Sequence, residues 1–257
     1  MADEVLSTVA DGVATITLNR PDKRNAMNAA LLSALRDCFD ALDGRADVRV
    51  VVLRGAGSAF CAGMDLREME ARQGAPADGD AAVIPVLQRV ERSRHPTIAM
   101  VHGDAFAGGL ELALHCDLRV AADIARFGMP LARLGLIVPF PFAQKIVEIV
   151  GPAHARQLLL TGRPVDARRA YAIGMLHEVV PAADLACVTG DLARTIAENA
   201  PLSLAGMKAV ILRALAPRDE IAHDDLDALA RRARQSADAS EGRRAMLEKR
   251  RPVFRGE

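Results

Sequence analysis

Three short apolar runs constrain the fold of this chain more than any other feature of its sequence. They read VRVVVLRG (residues 48–55), TIAMVHG (97–103) and DLRVAA (117–122). The first is too short and too rich in β-branched residues for a helix, and we interpret all three as strands, the first two buried. Apolar residues recur at helical spacing before the first run, at Leu31, Leu35 and Phe39 after the helix cap Asn28, and between the first two runs, through residues 83–92. This alternation predicts an α/β core.

The two ends of the chain differ from this alternating middle. Residues 5–19 (VLSTVADGVATITLN) predict a β-hairpin, because Asp11-Gly12 supplies a tight turn between two β-prone arms. Beyond Gly151 the spacing is helical as far as residue 215, and only MLHEVV (175–180) indicates a strand. We therefore expect an α/β core with helices appended on its C-terminal side.

Composition excludes several classes of function. The chain has 257 residues, and its 33 Lys and Arg balance 33 Asp and Glu, so no charge excess indicates a nucleic-acid or membrane partner. The four cysteines have neither a CxxC pair nor metal-like spacing, and no metal site is expected. The N-terminal residues lack a basic-then-apolar signal, and no apolar stretch is long enough to span a bilayer. A cytoplasmic location is the expectation.

Two glycine-containing loops each follow a predicted strand and end where a helix is predicted to start. Met64 stands just before DLREM, and Gly108 just before GLELAL. Helix starts present unpaired N–H groups, so two that converge would stabilise an oxyanion during acyl-group chemistry. Close helix packing is an equally good reason for Gly108 and Gly109. A dinucleotide loop is disfavoured because Phe60 replaces its third glycine, and the Walker and GxSxG motifs are absent.

Glu111 is an unusual residue for its surroundings. It lies three residues into an apolar helix, beside Leu110 and Leu112, and no Lys or Arg within a helical turn could pair with it. Burying an unpaired carboxylate is costly, so Glu111 must face water, meet a partner from elsewhere in the fold, or take part in chemistry.

Five segments in order resemble the enoyl-CoA hydratase/isomerase (crotonase) superfamily. They are LNRPDKRNAMN, FCAGMDLREM, HGDAFAGGLELALHCDLRVAADIARFGMP, LLLTGRPVDARRAYAIGMLHEVVP and EGRRAMLEKRRPVF. The resemblance implies a spiral of ββα units (residues 1–200) and a helical C-terminal trimerisation region (201–257). It also implies acyl-CoA substrates, a homotrimer or dimer of trimers, and no cofactor beyond the coenzyme A of the substrate.

The resemblance assigns roles position by position. The oxyanion-hole N–H groups fall on Met64 and Gly108, and Glu111 falls on the first catalytic glutamate of the hydratases, facing the acyl pocket. Lys249, Phe254 and Arg255 match positions that can reach a coenzyme A bound to a neighbouring subunit. The residues assigned to acyl-CoA binding are Arg24, Ala26, Ala62, Asp65, Leu66, Arg67, Leu131, Lys249, Phe254 and Arg255.

One position departs from the hydratase pattern. The hydratases carry a second acid/base glutamate in FGxPE, whereas this chain reads FGMPL and has Leu131 there. Losing one positioned acid/base typically costs about 10²–10⁴ in rate. The leading hypothesis is still an enoyl-CoA hydratase, a lyase. A different acyl-CoA enzyme (a thioesterase, decarboxylase or isomerase) and a non-catalytic acyl-CoA-binding protein remain alternatives, and Phe140, Phe142 and Leu131 indicate an apolar pocket.

Overall fold

The three apolar runs lie at the centre of the larger of two β-sheets in the computed structural model, which describes residues 3–71 and 79–256. The strands of the described chain are β1 (Val5–Ala10), β2 (Val13–Leu18), β3 (Val50–Gly55), β4 (Ala59–Cys61), β5 (Thr97–Val101), β6 (Asp104–Phe106), β7 (Leu118–Ala122), β8 (Arg126–Gly128), β9 (Val165–Asp166) and β10 (Glu178–Val180). The larger sheet has the order β1-β2-β3-β5-β7-β10, and its pairs are parallel except the hairpin pair β1 and β2. The predicted strands and hairpin are confirmed.

A second, smaller sheet is the part of the architecture that no residue pattern indicated and that only the family resemblance implied. Its order is β4-β6-β8-β9. Each of β3, β5 and β7 in the larger sheet is followed by a strand of the smaller one, so the chain winds as repeated strand pairs, each followed by helical structure. This confirms the predicted α/β spiral of ββα units. The small strands have only two or three residues each, too few to show an alternating pattern.

The helices of the described chain are α1 (Ala29–Asp43), α2 (Leu66–Ala71), α3 (Gly79–Glu91), α4 (Gly108–Leu114), α5 (Phe140–Thr161), α6 (Ala167–Ala172), α7 (Leu185–Ala197), α8 (Pro201–Leu215), α9 (Asp224–Gln235) and α10 (Ala237–Leu247). Asn28 caps α1 as predicted, since its side chain accepts a hydrogen bond of 2.8 Å from the Leu31 N–H. Helix α5 begins well before the predicted start at Gly151, where a φ of 72° interrupts it. Nowhere in the described ranges does a helix combine the length and apolar character needed to cross a bilayer.

Gly109 shows that close packing explains one of the two glycines that start α4. A Cβ atom at Gly109 would lie 2.1 Å from the Cys61 carbonyl oxygen of β4. A Cβ atom at Gly108 would instead meet the flexible end of Met27, whose Cε atom would be 2.6 Å away. Gly109 therefore lets α4 rest on β4, and that contact fixes where α4 begins and where the Gly108 N–H lies.

The C-terminal helices pack back onto the core. Gly242 of α10 lies so close to a short 3₁₀ turn (Pro130–Leu134) that a Cβ atom there would be 2.5 Å from the Leu134 carbonyl carbon. Lys208 of α8 forms a 2.6 Å ion pair with Asp117, just before β7. The predicted boundary at 200/201 coincides with the start of α8, while the division into two domains remains a prediction.

Candidate active site

A cavity of about 640 Å³ opens where the strand-to-helix loops meet the C-terminal helices. The site residues of the sequence analysis that line it are Arg24, Ala26, Ala62, Met64, Asp65, Leu66, Arg67, Gly108 and Leu131. Its lining is mostly apolar, with charged side chains such as Lys23 and Arg133 among them. The structure therefore brings together the predicted oxyanion residues and most of the predicted substrate-binding residues around a cavity of the size of small-molecule sites.

The backbone N–H groups of Met64 and Gly108 lie side by side at this cavity. Met27 donates to the Gly63 carbonyl (2.7 Å) and accepts from the Asp65 N–H (2.9 Å). Because N–H directions alternate along an extended chain, this pairing directs the Met64 N–H away from Met27. A Cβ atom at Gly108 would lie 3.9 Å from the Met64 nitrogen, and one at Gly63 would lie 3.4 Å from the Gly108 nitrogen. Two such donors can stabilise one developing oxyanion.

Ala107 holds the turn that aims the Gly108 N–H, and sequence reasoning missed it. It has φ 48° and ψ −121°, a backbone conformation that a non-glycine residue seldom adopts. Its N–H donates to the Gly128 carbonyl at 2.9 Å, which fixes the turn between β6 and α4. Such strained residues cost about 1–3 kcal/mol and cluster at functional sites. Alanine at 107 carries no sequence signal of this conformation.

Glu111 is fully buried one helical turn beyond Gly108. Neither of its carboxyl oxygens has a hydrogen-bond partner among the described residues, and His115 Nδ1 lies 3.8 Å from Oε2. The same ring nitrogen forms a hydrogen bond of 2.8 Å with the backbone carbonyl oxygen of Glu111, not with its carboxyl group. Burial raises the pKa of Glu111 well above its usual range, and the nearby charge of Lys145 opposes that rise. The side chain is not part of the cavity lining, so a role in the pocket remains a prediction.

A buried carboxyl group with a raised pKa has defined chemical uses. It can donate a proton to a carbon or oxygen atom that becomes basic during a reaction, and after losing that proton it can accept one from water. An active-site carboxyl with a raised pKa is a recurrent feature of acid catalysis. The charge that opposes the rise in the pKa of Glu111 belongs to Lys145 of α5, distant in sequence, and Lys145 forms no hydrogen bond with the Glu111 carboxyl group.

Ion pairs fix the loop residues around the cavity. Asp104 of β6 binds two guanidinium groups, those of Arg24 and Arg126, the latter with distances of 2.8 and 2.7 Å. Asp65 accepts from Arg20 at 3.2 Å and from the Arg67 N–H at 3.2 Å, so this predicted substrate-binding residue also holds the start of α2. These pairs set the rim of the cavity before any ligand binds.

Leu131 forms part of an apolar wall of the cavity. It is half-buried in the 3₁₀ turn Pro130–Leu134, and Phe142 of α5 also lines the cavity. Phe140 was expected in the same pocket, and this was wrong. Its ring stacks on His223 at 4.7 Å between ring centroids, because α5 starts there and turns Phe140 toward the segment before α9.

A sequence profile described as enoyl-CoA hydratase/isomerase matches residues 8–257. The chain belongs to this family. That confirms the crotonase resemblance of the five motifs, and homologues named as enoyl-CoA hydratases or isomerases support an enzyme of this family.

Individual relatives cover nearly the whole chain. A probable enoyl-CoA hydratase of Mycobacterium bovis is 36% identical over 246 residues, which is 94% of each chain. The crystal structure of carnitinyl-CoA hydratase from Mycobacterium avium is similar with a TM-score of 0.86, 34% identity and full coverage of both chains. A methylmalonyl-CoA decarboxylase in complex with 2-nitronate-propionyl-CoA is similar with a TM-score of 0.89, 30% identity and 98% coverage of both chains.

The C-terminal helices contribute to the cavity in a way that the crotonase motifs did not reveal. Arg234 of α9 and Met246 of α10 line it. Lys249, Phe254 and Arg255 do not line it, and the chain end returns to α10, where the Arg255 N–H donates to Asp238 at 2.7 Å. Neither position was predicted, because helical spacing does not show which distant core turn a helix packs against.

Proposed function

We propose that this chain is an acyl-CoA enzyme that adds water to a trans-2-enoyl-CoA. The observation that carries the proposal is the pair of N–H groups of Met64 and Gly108 at the cavity, one helical turn from the buried Glu111. The two N–H groups would polarise the thioester carbonyl, and Glu111 would hold and activate the water. Coenzyme A enters only as part of the substrate, and the names of the hydratase relatives support the same substrate class.

The test is an enoyl-CoA hydration assay combined with a binding titration. We expect absorbance at the enoyl thioester band to fall when the enzyme meets crotonyl-CoA or a longer enoyl-CoA. We also expect saturable binding of acetyl-CoA below millimolar concentration, because the cavity is preformed. If acetyl-CoA binds but no enoyl-CoA is turned over, the hydratase proposal is wrong and the proposal of an acyl-CoA-binding site stands. If acetyl-CoA does not bind saturably, both the hydratase proposal and the proposed acyl-CoA site are wrong.

A decarboxylase is the second candidate, and the raised pKa of Glu111 supports it. Loss of carbon dioxide from a malonyl-type thioester leaves an enolate, whose oxygen the Met64 and Gly108 N–H groups would stabilise and whose carbon needs one proton. Protonated Glu111 could supply that proton and recover it from water. The similar solved structure of a methylmalonyl-CoA decarboxylase supports this candidate. The family resemblance implies for decarboxylases of this type a histidine at the position of Met64 and a tyrosine near that of Val138, and the lack of both in this chain counts against this candidate.

We also propose that the chain forms a homotrimer or a dimer of trimers. Helix α8 exposes a row of apolar side chains, namely Leu202, Met207, Val210 and Ile211. A second copy of the chain would remove this surface from water. Lys249, Phe254 and Arg255, which do not line the chain's own cavity, would then reach a neighbour's coenzyme A. Light scattering should give three or six times the chain mass of 27.4 kDa, and a stable monomer would contradict this assembly.

A further inference from the structure

The side chain of Arg20, which follows β2, is largely buried although it does not line the cavity. It is only 14% exposed. Its Nε atom lies 3.4 Å from Glu4 Oε1, and its two terminal nitrogens donate to Asp65 Oδ2 at 3.2 Å and to the Ala26 carbonyl oxygen. A planar guanidinium group that binds three separate acceptors holds them in a fixed arrangement. Arg20 therefore fixes the positions of three parts of the chain relative to one another.

Two of these parts are the segments whose pairing places the Met64 N–H. Segments 24–27 and 62–65 pair through three backbone hydrogen bonds of 3.0, 2.7 and 2.9 Å. Met27 of the first segment and Met64 of the second are bridge partners. Arg20 binds the residue just before Met27 and the residue just after Met64. Its guanidinium group thus holds both sides of the bridge that directs the Met64 N–H.

The first of the two segments has a backbone that needs such support. Arg24 and Asn25 have φ angles of 50° and 55°, a left-handed conformation that non-glycine residues seldom adopt. A strained turn persists where surrounding contacts hold it in place. The Asn25 side chain donates to two carbonyl oxygens near β4 at 2.8 and 2.7 Å. Arg20 holds the next carbonyl group along the chain, that of Ala26.

We propose that Arg20 is a positioning residue for the oxyanion hole. It holds segments 24–27 and 62–65 together, so that the Met64 N–H stays beside the Gly108 N–H. The proposal rests on the proposed function in one respect, namely that the Met64 N–H binds the thioester carbonyl oxygen. Arg20 acts through Met64 and does not touch the reacting atoms. Displacing a catalytic group by about 1 Å can cost about 10²-fold in rate, so a looser bridge would affect the reaction.

Arg89 provides a matched control for the loss of such a side chain. It is 19% exposed and donates to Asp40 at 2.6 Å, to Asp43 at 2.5 Å and to the Phe39 carbonyl oxygen at 2.8 Å. Like Arg20, it binds two carboxylates and one backbone carbonyl group. It joins α3 to α1, and neither helix carries an N–H group of the oxyanion hole. Arg89→Met therefore removes an equivalent set of contacts elsewhere in the fold.

The experiment is an infrared difference measurement on bound acetyl-CoA that carries an isotopic label at the thioester carbonyl carbon. In the wild type we expect the C=O band at lower frequency than in free acetyl-CoA, because the two N–H groups polarise the bond. In Arg20→Met this shift should fall by about half or more. Arg20→Lys keeps the charge without the fork of donors, so it should lose part of the shift. Arg89→Met should keep the wild-type shift.

Kinetics with an enoyl-CoA give a second readout. In Arg20→Met we expect kcat to fall by about tenfold or more while KM changes little, because the cavity lining is unaltered. Arg89→Met should keep the wild-type kcat even if its midpoint of thermal unfolding falls as far as that of Arg20→Met. If Arg20→Met fails to fold because Glu4 and Asp65 lose their partner, Arg20→Lys keeps a cation between them and tests the same point.

A wild-type carbonyl band in the folded Arg20 variants, or an equal loss of the shift in Arg89→Met, would overturn the proposal. No shift of bound acetyl-CoA in the wild type would show instead that Met64 and Gly108 do not form an oxyanion hole, and the role of Arg20 would fall with it. The infrared measurement needs no turnover. Absence of hydration activity therefore leaves its result for Arg20 intact.

Discussion

Replacing Glu111 by glutamine is expected to lower turnover by about 10²–10⁴-fold and to make the protein more stable at neutral pH. Glutamine keeps the shape of the side chain but can neither hold nor release the proton. The loss should fall on kcat more than on KM, because the Met64 and Gly108 N–H groups that bind the thioester are unchanged. Measurement of kcat and KM with the best enoyl-CoA or malonyl-type substrate checks the first half of this prediction.

The gain in stability follows from the raised pKa of Glu111. In the unfolded chain the group ionises near its ordinary pKa of about 4.3, whereas the folded protein keeps the proton to higher pH. The folded state therefore binds more protons in that interval, and the free energy of unfolding falls as pH rises, by at most about 1.4 kcal/mol for each pH unit. Glu111→Gln has no such slope, so its advantage should be absent near pH 4 and grow toward pH 8.

Denaturant unfolding of both proteins at pH 4, 6 and 8 measures this advantage, and exposed Glu198→Gln is the matched control for the loss of a carboxyl group at the surface. A wild type that stays as stable as Glu111→Gln at every pH would show that the folded protein holds Glu111 ionised. Unchanged turnover in Glu111→Gln would show that Glu111 is not the catalytic group. The unfolding measurement tests the effect of burying Glu111, and the turnover measurement tests its role in catalysis. A substitution that raises stability and lowers activity is expected at an active-site carboxyl group.

A structural feature could be predicted from the sequence only where the residue pattern that indicates it lies within one short segment. Strands β3, β5 and β7 were predictable because a short apolar segment rich in β-branched residues is typical of a buried strand. The positions of Met64 and Gly108 at helix starts were predictable because each residue ends a loop that follows such a strand. The smaller sheet could not be predicted from residue patterns, since strands of two or three residues are too short to show an alternation of apolar and polar residues. Ala107 takes a conformation that alanine disfavours, so no residue preference points to it. The charge of Lys145, which opposes the raised pKa of Glu111, lies on α5, and no local pattern indicates that α5 packs on α4.

Leu131→Glu is the prediction with the second largest expected effect, and it uses the chain's departure from the hydratase pattern. Leu131 lines the cavity from the turn Pro130–Leu134, and glutamate is similar in length, so the backbone can stay as it is. The new carboxyl group would sit in an apolar wall, where partial burial raises its pKa and favours the protonated form. A protonated carboxyl is the state that the second step of hydration needs, because the α-carbon must receive a proton.

We expect Leu131→Glu to raise crotonyl-CoA hydration by about tenfold or more, a fraction of what a positioned acid contributes in other enzymes. Leu131→Gln is the matched control, because it brings the same polarity and size without an exchangeable carboxyl proton, and it should give no gain. Adding Glu111→Gln to Leu131→Glu should abolish the gain, since the water would no longer be activated, and this coupling is measurable as a double-mutant cycle. Equal rates in the folded Leu131→Glu and Leu131→Gln proteins would mean that the wall containing Leu131 selects a substrate for a reaction that uses one carboxyl group alone. Of the two reactions proposed for this site, decarboxylation is the one that would fit this result, because the enolate it leaves needs a single proton.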